Sequence, residues 1–402
     1  MKVVVLNQYS KDPNEALKVV KWPIPTPTDE EVLVNVRAAS LNPIDARMRT
    51  GYGRTLFAAK APLPIVLGRD FSGTILKIGP AVQGYAVGDE VFGVMNPFRC
   101  EGLKQGTHRE YLTVPIIEIT KKPKNMDHVQ TASLPYVALT TYSALITQAR
   151  MQCTDYKSLR VLVHAGAGGV GSYAIQFLKT LGAHVITTCS TKNIGFVQDL
   201  GADEVIDYSQ EDYSKRLKEC DIAYDLLGNT HTSRTLDTLV ARPPSSHTLR
   251  MIEKLYEQCM AKLNSATEEW SVPNYKAILN EFDTQLFELL DNMPKYISIV
   301  SPMMSLTDDC GLQEGMKKFV ATTLQQKMFQ AKTHGRFFNY SFFEPNQEGL
   351  RLLADDLARG KIKPIVGQVF SLEDAASAHA AIETERTQGK IVFNMKTSIN
   401  DV

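Results

Sequence analysis

The first 128 residues contain short runs in which apolar and polar residues alternate, separated by glycine and proline. Alternation with a period of two is typical of β-strands that bury one face. It predicts strands over residues 1–6, 31–37, 72–78 and 90–94. Residues 367–370 and 390–394 show the same strand-like pattern, and we expect them to fold back onto this strand-rich, barrel-like part.

After residue 128 the pattern changes, because apolar strands alternate with stretches of helical periodicity. The predicted strands cover residues 160–164, 184–188, 204–207 and 222–226. Predicted helices between them cover residues 174–181 and 193–200. Strands that alternate with helices predict βαβ units and a parallel sheet. We therefore expect an α/β protein with a β-rich domain over 1–128, completed by 363–402, and a parallel-sheet domain over 129–362.

One connection in the second part is unusually long. Residues 229–295 separate the strand at 222–226 from another at 296–300, whereas roughly a dozen residues are enough for a parallel crossover. Apolar residues recur there at helical spacing, at Leu249, Ile252, Leu255, Tyr256 and Cys259. The spacing predicts two helices, over 247–270 and 275–292. Three roles are open for this helical insertion. It covers a binding site, it mediates association, or it is a neutral elaboration of the surface.

Composition excludes several classes of function. The 402 residues include 44 Lys and Arg and 44 Asp and Glu, so no net charge attracts nucleic acid or a membrane surface. The six cysteines form no Cys-x-x-Cys pair, which is unlike a disulfide scaffold or a zinc ribbon and fits a reducing compartment. No apolar run approaches the roughly 18 residues of a transmembrane helix, and no presequence is visible. We expect a small-molecule ligand.

A glycine-rich turn follows the predicted strand at 160–164 and opens the predicted helix. In the pattern Gly166-x-Gly168-x-x-Gly171, glycines permit a tight turn, close approach of a pyrophosphate and close helix packing. The N-terminus of a helix also offers unpaired N–H groups and the positive end of its dipole. This context predicts a dinucleotide site, and an ordinary strand-to-helix turn is the alternative.

The end of the next strand indicates which dinucleotide binds. An NAD site usually has Asp or Glu there, about 20 residues beyond the glycines, whereas this chain has Ser190, Thr191 and Lys192. Two hydroxyls and an ammonium group suit a phosphate, so NADPH is favoured over NADH. The alternative is that Ser190 and Thr191 cap the following helix.

Several motifs, in chain order, resemble one known family. They lie at residues 42–45, 48–53, 67–73, 132–140, 165–171, 201–208 and 389–392. The chain resembles a zinc-free medium-chain dehydrogenase/reductase of the quinone oxidoreductase type over almost its whole length, except for the insertion at 229–295. The resemblance implies a GroES-like N-terminal domain completed by the C-terminus, a central Rossmann domain, and a site in the cleft between them.

The glycine turn, the strand end and the resemblance together give a set of predicted cofactor-binding residues. They are Ala167, Gly168, Gly169, Val170, Gly171, Ser190, Lys192, Tyr208, Leu226, Ser341, Phe343 and Arg386. Of these, Ser190 and Tyr208 match residues that lie at the ribose phosphate in the family. Ala167 stands where a similar member of the family has a serine. Arg386 replaces a histidine. The aromatic run at 339–343 is also typical of a protein core.

Zinc-dependent members of the superfamily use the histidine of a Gly-His-Glu motif. This chain has Gly68-Arg69-Asp70 at that place and lacks the four clustered thiolates, so no metal is predicted. We interpret the lone histidines, such as His108, His128 and His164, as packing or surface residues.

Without a Lewis acid, reduction of a quinone or enone is easier than reduction of a simple carbonyl, because the acceptor spreads the incoming charge itself. The candidate catalytic residues are Asn42, Asp45 and Tyr52. Tyr52 either donates to the developing oxyanion or packs within a loop. Arg69 and Asp70 either lie near the substrate or form a structural salt bridge, and we favour the salt bridge.

Two functions fit these residues. The first is an NADPH-dependent oxidoreductase that transfers hydride to quinones or other activated alkenes. By resemblance it is mitochondrial and supports ubiquinone metabolism, with the cytoplasm as the alternative location. The second is an NADPH-binding interaction protein with a reticulon-type partner and little turnover. The physiological acceptor does not follow from the sequence, and neither does the oligomeric state, for which a homodimer is one option.

Overall fold

The computed structural model describes residues 1–58, 62–96, 106–151, 156–217, 219–265, 272–290 and 293–395. The chain divides into two compact units. The first comprises Met1–Tyr142, Ala167–Phe177 and Phe343–Val402, and the second comprises Ser143–Gly166 and Leu178–Phe342. The domain boundaries expected at residues 128 and 363 stay a prediction.

The β-strands are numbered in chain order. They are β1 (Lys2–Leu6), β2 (Leu17–Lys21), β3 (Glu31–Leu41), β4 (Ile65–Val66), β5 (Asp70–Ile78), β6 (Glu90–Val94), β7 (Tyr111–Pro115), β8 (Ile119–Lys121), β9 (Arg160–Val163), β10 (His184–Cys189), β11 (Glu204–Asp207), β12 (Ile222–Asp225), β13 (Lys295–Ser298), β14 (Phe337–Tyr340), β15 (Val366–Phe370) and β16 (Lys390–Asn394).

The α-helices follow in the same order. They are α1 (Pro13–Ala16), α2 (Pro43–Arg49), α3 (Arg54–Ala58), α4 (His128–Ala132), α5 (Pro135–Thr141), α6 (Gly169–Leu181), α7 (Ile194–Asp199), α8 (Tyr213–Arg216), α9 (Thr232–Leu236), α10 (Ser246–Ser265), α11 (Val272–Leu289), α12 (Met303–Cys310), α13 (Leu312–His334), α14 (Gln347–Ala358) and α15 (Ala375–Glu383). Among the described helices, none combines the length and the apolar character that crossing a membrane requires.

The first unit is organised around the long strand β3. It belongs to a sheet in the order β15-β16-β3-β5-β6-β8, and β7 also pairs with β3. Strand β16 pairs antiparallel with β3, with Ile391 opposite Leu41, so it lies in the same sheet as β3, β5, β6 and β8, whereas β1, β2 and β4 form a separate sheet. All but one residue of β3 are buried. The simple alternation used to predict this strand understates its burial, because both of its faces are covered.

The second unit contains a parallel sheet in the order β11-β10-β9-β12-β13-β14. The first strand, β9, is central and later strands extend the sheet in both directions, which is the strand order of doubly wound dinucleotide-binding folds. The hydrophobic pattern predicts β9, β10, β11 and β12 to within one residue at each end. In such a sheet, ligands bind at the carboxyl ends of the strands.

The long connection between β12 and β13 is helical, as its periodicity predicts. Helix α10 buries Ile252, Leu255, Cys259 and Leu263 and packs against α11 and α13. A short helix, α9, precedes it. The described part of α10 ends at Ser265, and the predicted continuation to residue 270 lies outside the described residues.

Candidate functional site

The glycine turn leaves β9 through a residue in an unusual backbone conformation. Ala165 has a φ of +51°, in the left-handed region that residues with a side chain seldom adopt. Its N–H donates to Thr188 Oγ1 at 3.2 Å, and the N–H of Gly166 donates to the Thr188 carbonyl at 3.0 Å. Strand β10 therefore holds the turn in place. Backbone strain of this kind concentrates at binding and active sites.

Gly169 begins helix α6 and lies against a lysine. A Cβ atom at this position would stand 2.7 Å from Cδ of Lys390, closer than real Cβ atoms approach. Next to it, Gly168 pairs with Gly389 in an isolated parallel bridge, and the Gly389 N–H donates to the Ala167 carbonyl at 3.0 Å. The group that excludes a side chain at residue 169 is thus the stem of Lys390. The glycine spacing alone does not reveal this cause.

Lys390 connects the glycine turn to a buried polar cluster in the first unit. Its Nζ donates to Asn42 Oδ1 and lies 3.5 Å from Asp70 Oδ2. Asn42 Nδ2 in turn donates to Asp70 Oδ2 at 2.9 Å. Burial lowers the pKa of Lys390. Because both ends of the Asn42 carboxamide are bonded, its orientation is fixed.

The other two predicted catalytic residues lie at the two ends of α2. Asp45 is fully buried, and its carboxylate accepts the N–H of Asn42 at 2.8 Å and the N–H of Gly68 at 3.0 Å. Tyr52 follows α2, with the Arg47 guanidinium 5.9 Å from its ring centre. Of the three residues, only Tyr52 is partly exposed. Asn42 and Asp45 use their hydrogen bonds inside the protein.

The favoured salt bridge between Arg69 and Asp70 is wrong. Asp70 accepts hydrogen bonds from the Ser40 hydroxyl, Asn42 Nδ2 and the Tyr136 N–H, and its charged neighbour is Lys390. Arg69 is buried elsewhere, where its Nη2 lies 3.4 Å from Met48 Sδ. Successive residues of an extended chain project to opposite sides, which separates the two charged groups.

These carboxylates do not offer a metal site. Both oxygens of Asp45 and both oxygens of Asp70 already accept N–H or O–H donors, and the Lys390 ammonium beside Asp70 repels a cation. Within the described ranges, no group of three or more His, Cys, Asp or Glu side chains could hold a metal ion. The donor set at Gly68-Arg69-Asp70 therefore does not fit zinc.

The lone histidines are bonded within their surroundings. His164 is buried, with its ring nitrogens 3.1 Å from Thr188 Oγ1 and 3.0 Å from Thr235 Oγ1. Burial lowers the pKa of His164 to about 4, so the ring is neutral near pH 7. His108 and His128 have hydrogen-bond partners in the first unit. These contacts agree with the interpretation of all three as packing or surface residues.

The predicted ribose-phosphate residues lie at the carboxyl edge of the parallel sheet. Ser190 follows β10, and Tyr208 follows β11 with its N–H donating to the Cys189 carbonyl at 3.1 Å. The Tyr208 side chain is 60% exposed, and exposed Lys192 forms no ion pair with any described residue. The Ser190 hydroxyl makes no helix-capping hydrogen bond and instead accepts one from Asn193 Nδ2 at 3.3 Å. The capping hypothesis is wrong for this residue.

A carboxylate from the neighbouring strand lies beside these residues. In the register of β10 and β11, Cys189 is opposite Asp207, whose carboxylate accepts a hydrogen bond from Thr191 Oγ1. Hydrogen bonds from Ser209, and then from Thr191, lower the pKa of Asp207. The Thr191 hydroxyl is therefore already occupied. The end of β10 carries no carboxylate, as its sequence indicates, whereas the end of β11 carries Asp207.

The remaining predicted cofactor residues lie in both units. Leu226 follows β12, and Ser341 follows β14 in the second unit. Ser341 is buried, its N–H donates to the Ser298 carbonyl at 2.8 Å, and its hydroxyl has no hydrogen-bond partner among the described residues. In the first unit, the ring centre of Phe343 lies 4.7 Å from that of Tyr136, and Arg386 is exposed before β16. In the turn itself, Ala167 to Val170 are half-buried and Gly171 is buried.

Two residues of these clusters lie inside the family motifs at 389–392 and 201–208 but were not among the predicted site residues. Lys390 is the single charged residue of strand β16, and an isolated lysine after a glycine in an apolar strand could have marked it. Asp207 ends the third strand of the sheet, and strand order places that end beside the second strand. Only the paired register shows which side chain each residue meets.

Comparison with known proteins places the chain in a family. One family model, described as alcohol dehydrogenase GroES-like domain, matches residues 28–124, and another, described as zinc-binding dehydrogenase, matches residues 200–393. The chain is 31% identical to "NAD(P)H oxidoreductase RTN4IP1, mitochondrial" from Danio rerio, over 97% of this chain and 90% of that protein. It is 32% identical to "Reticulon-4-interacting protein 1, mitochondrial" from Caenorhabditis elegans, over 90% and 87%. The quinone oxidoreductase of Coxiella burnetii matches with a TM-score of 0.69 and 28% identity, over 98% and 99%.

The chain therefore belongs to the medium-chain dehydrogenase/reductase family and is an oxidoreductase with a GroES-like domain and a Rossmann-like parallel sheet. Within that family it is similar, over nearly its whole length, to the proteins named NAD(P)H oxidoreductase RTN4IP1. The family resemblance and the fold class expected from the motifs are confirmed.

Proposed function

We propose that the chain is an NADPH-dependent oxidoreductase that transfers hydride to quinones or other activated alkenes without zinc. The observation that carries the proposal is the carboxyl edge of the parallel sheet, where Ser190 and the exposed side chains of Lys192 and Tyr208 follow adjacent strands. The buried Ser341 hydroxyl follows another strand and has no partner among the described residues. A buried polar group of this kind fits a ligand that supplies its hydrogen bond.

Each part of the cofactor has residues that suit it. The N–H groups at the start of α6 suit the pyrophosphate, since the first N–H groups of a helix have no intrahelical partner. Lys192 and Ser190 suit the 2′-phosphate of NADPH through charge-assisted hydrogen bonds, with Tyr208 beside them. The Asp207 carboxylate repels such a phosphate, so the Lys192 charge has to offset it. We assign Leu226, Phe343 and Arg386 to the remaining cofactor contacts.

The bound cofactor supplies a hydride. The protein has to orient the acceptor and donate a hydrogen bond to the oxygen on which charge develops. We assign that donor to Tyr52, the partly exposed member of the predicted set. Asn42 and Asp45 hold the start of α2, the helix that precedes Tyr52, through their internal hydrogen bonds. An electron-poor quinone needs little further help, because it delocalises the incoming charge itself.

The names of the similar proteins support the proposed location, acceptor and partner. Several are named mitochondrial, which supports a mitochondrial location. A role in ubiquinone metabolism is part of the same proposal. The structural similarity to a quinone oxidoreductase supports a quinone as the acceptor. The name of the Caenorhabditis elegans relative refers to a reticulon, which supports a reticulon-type partner for this chain as well.

NADPH oxidation with a panel of acceptors tests the proposal. We expect kcat/KM for quinones and enones to exceed that for simple aldehydes and ketones by at least about tenfold, since charge stabilisation worth about 1.4 kcal/mol gives that ratio. Tight NADPH binding without turnover of any quinone or enone would contradict the proposed activity. It would favour instead an NADPH-binding interaction protein with a reticulon-type partner.

A further inference from the structure

The helical insertion supplies a buried acidic residue to the outer strand of the parallel sheet. Asp283 belongs to α11, and its carboxylate is buried. Its Oδ1 accepts a hydrogen bond from Lys327 Nζ at 2.6 Å, and its Oδ2 accepts one from Asn339 Nδ2 at 3.2 Å. A neutral elaboration of the surface would not place a carboxylate in the interior. The insertion is therefore part of the folded interior of the second unit.

Lys327, on helix α13, is the cation of this network and is fully buried. Besides Asp283, its ammonium donates to the Phe338 carbonyl at 3.0 Å and to Asn339 Oδ1 at 2.8 Å. Each of its three N–H groups thus has an acceptor. Burial raises the pKa of Asp283 and lowers the pKa of Lys327, so each ion depends on the other for its charge.

Asn339 is bonded through every polar atom of its carboxamide. Its oxygen accepts from Lys327, and its nitrogen donates to Asp283 and to Gln148 Oε1 at 2.6 Å. A buried ion pair contributes little net stability compared with well-packed apolar residues. A fully satisfied buried network does select one geometry, because any other arrangement leaves a charge unpaired. The network therefore fixes the conformation of β14, which carries Asn339.

Ser341 lies two residues beyond Asn339, at the carboxyl end of β14. Its N–H is bonded to the Ser298 carbonyl, so its backbone is held from the neighbouring strand as well. Its hydroxyl is buried and has no hydrogen-bond partner among the described residues. Such a group costs free energy unless a ligand completes its hydrogen bond. The carboxyl ends of parallel strands are where ligands bind in this class of sheet.

We propose that Asp283 is a positioning residue for the cofactor: acting through Lys327 and Asn339, it holds the end of β14 so that the Ser341 hydroxyl meets the nicotinamide dinucleotide. The inference rests on the proposed function. It gives the insertion a role at the cofactor site through a buried network instead of a direct contact.

Two substitutions and their combination test the inference. Asp283→Asn removes the charge at nearly constant size, and Ser341→Ala removes only the hydroxyl. We expect each to raise the calorimetric Kd for NADPH by about tenfold, and the combined variant to show no further increase, because both act through one hydroxyl. The KM for NADPH should rise while kcat at saturating NADPH is retained.

Glu281→Gln is the matched control. Glu281 lies on the same helix, but it is partly exposed and pairs with Lys262 at 2.6 Å. We expect its Kd for NADPH to equal that of the wild type. An equal increase in this variant would mean that any disturbance of α11 weakens binding, which would overturn the specific role of Asp283.

Three further results would overturn the inference alone: wild-type affinity in Asp283→Asn, wild-type affinity in Ser341→Ala, or effects of the two substitutions that multiply. If Asp283→Asn does not fold, Gln148→Ala takes its place in the same cycle with the same expectations, because it removes one hydrogen bond to Asn339. A wild-type chain that binds neither NADPH nor NADH would overturn the proposed function and this inference together.

Discussion

The ammonium of Lys390 lies 3.5 Å from Oδ2 of Asp70, and both side chains are buried. The pair joins the last described strand of the chain to the start of β5, and the stem of the same lysine packs against Gly169. One residue thus supports the polar cluster around Asn42 and the entrance to α6. Its partner is the aspartate that follows Arg69, not a residue near it in sequence.

Removing the lysine charge should destabilise the fold. Lys390→Met leaves the Asp70 carboxylate buried without its cation, and we expect the free energy of unfolding to fall by about 3 kcal/mol or more. Urea denaturation measures the change. Lys2→Met, which breaks only the exposed pair with Glu373, is the control and should change the stability little. Equal stability of Lys390→Met and the wild type would show that Asp70 does not depend on this cation.

The choice of cofactor should depend on Lys192. We expect the wild type to bind NADPH at least about tenfold tighter than NADH, equivalent to about 1.4 kcal/mol. Lys192→Ala should remove most of that difference by weakening NADPH binding and leaving NADH unchanged, because only NADPH carries the 2′-phosphate. Calorimetric titration gives both constants. Lys215→Ala, another exposed lysine of the second unit, is the control. Equal affinities of the wild type for both cofactors would contradict the assignment.

The free energy of unfolding should fall as the solution is made acidic, because of His164. The folded state holds this ring neutral with a pKa of about 4, against an ordinary value of 6.5, so below pH 6.5 the unfolded chain binds more protons. The stability from this residue is complete above pH 6.5 and is lost as the pH falls towards 4, by about 3 kcal/mol in total. Buried His379 acts in the same direction.

Unfolding free energies measured between pH 4 and pH 7 in His164→Gln should show a smaller slope than those of the wild type. His247→Gln, at an exposed position in α10, should keep the wild-type slope. An unchanged slope in His164→Gln would mean that folding does not lower the pKa of His164.

Tyr52→Phe tests the assigned hydrogen-bond donor. We expect kcat and kcat/KM for a quinone to fall together by at least about tenfold, because an interaction made only in the transition state is lost. The Kd for NADPH should stay the same. Tyr85→Phe is the control, since that hydroxyl donates to the Ile119 carbonyl at 3.1 Å and has no part in the assigned chemistry. Wild-type kcat in Tyr52→Phe would return Tyr52 to a packing role.

The metal content follows from the donor set at Asp45 and Asp70. Elemental analysis of the purified protein should show no stoichiometric zinc, and chelators should leave NADPH oxidation unchanged, because both carboxylates are already hydrogen bonded. One tightly held equivalent of zinc would mean that Gly68-Arg69-Asp70 has been misinterpreted.

The local pattern of apolar residues is sufficient for most of the parallel sheet. Strands β9 to β12 are short apolar runs between helical stretches, and burial on both faces makes such runs easy to recognise. The helices of the insertion and the glycine turn are equally local features, since periodicity and glycine spacing involve only near neighbours. The family motifs, in their order along the chain, also predict the order of the two domains.

Partnerships between distant side chains needed the tertiary structure. Lys390 meets Asp70 across 320 positions, Lys327 meets Asp283 across 44, and Thr191 meets Asp207 across 16. A lysine has the same letter in the sequence whether water or a buried carboxylate surrounds it. Strand order and helix packing decide which of these it meets, because they bring remote parts of the chain together and exclude the water that would otherwise solvate the charge.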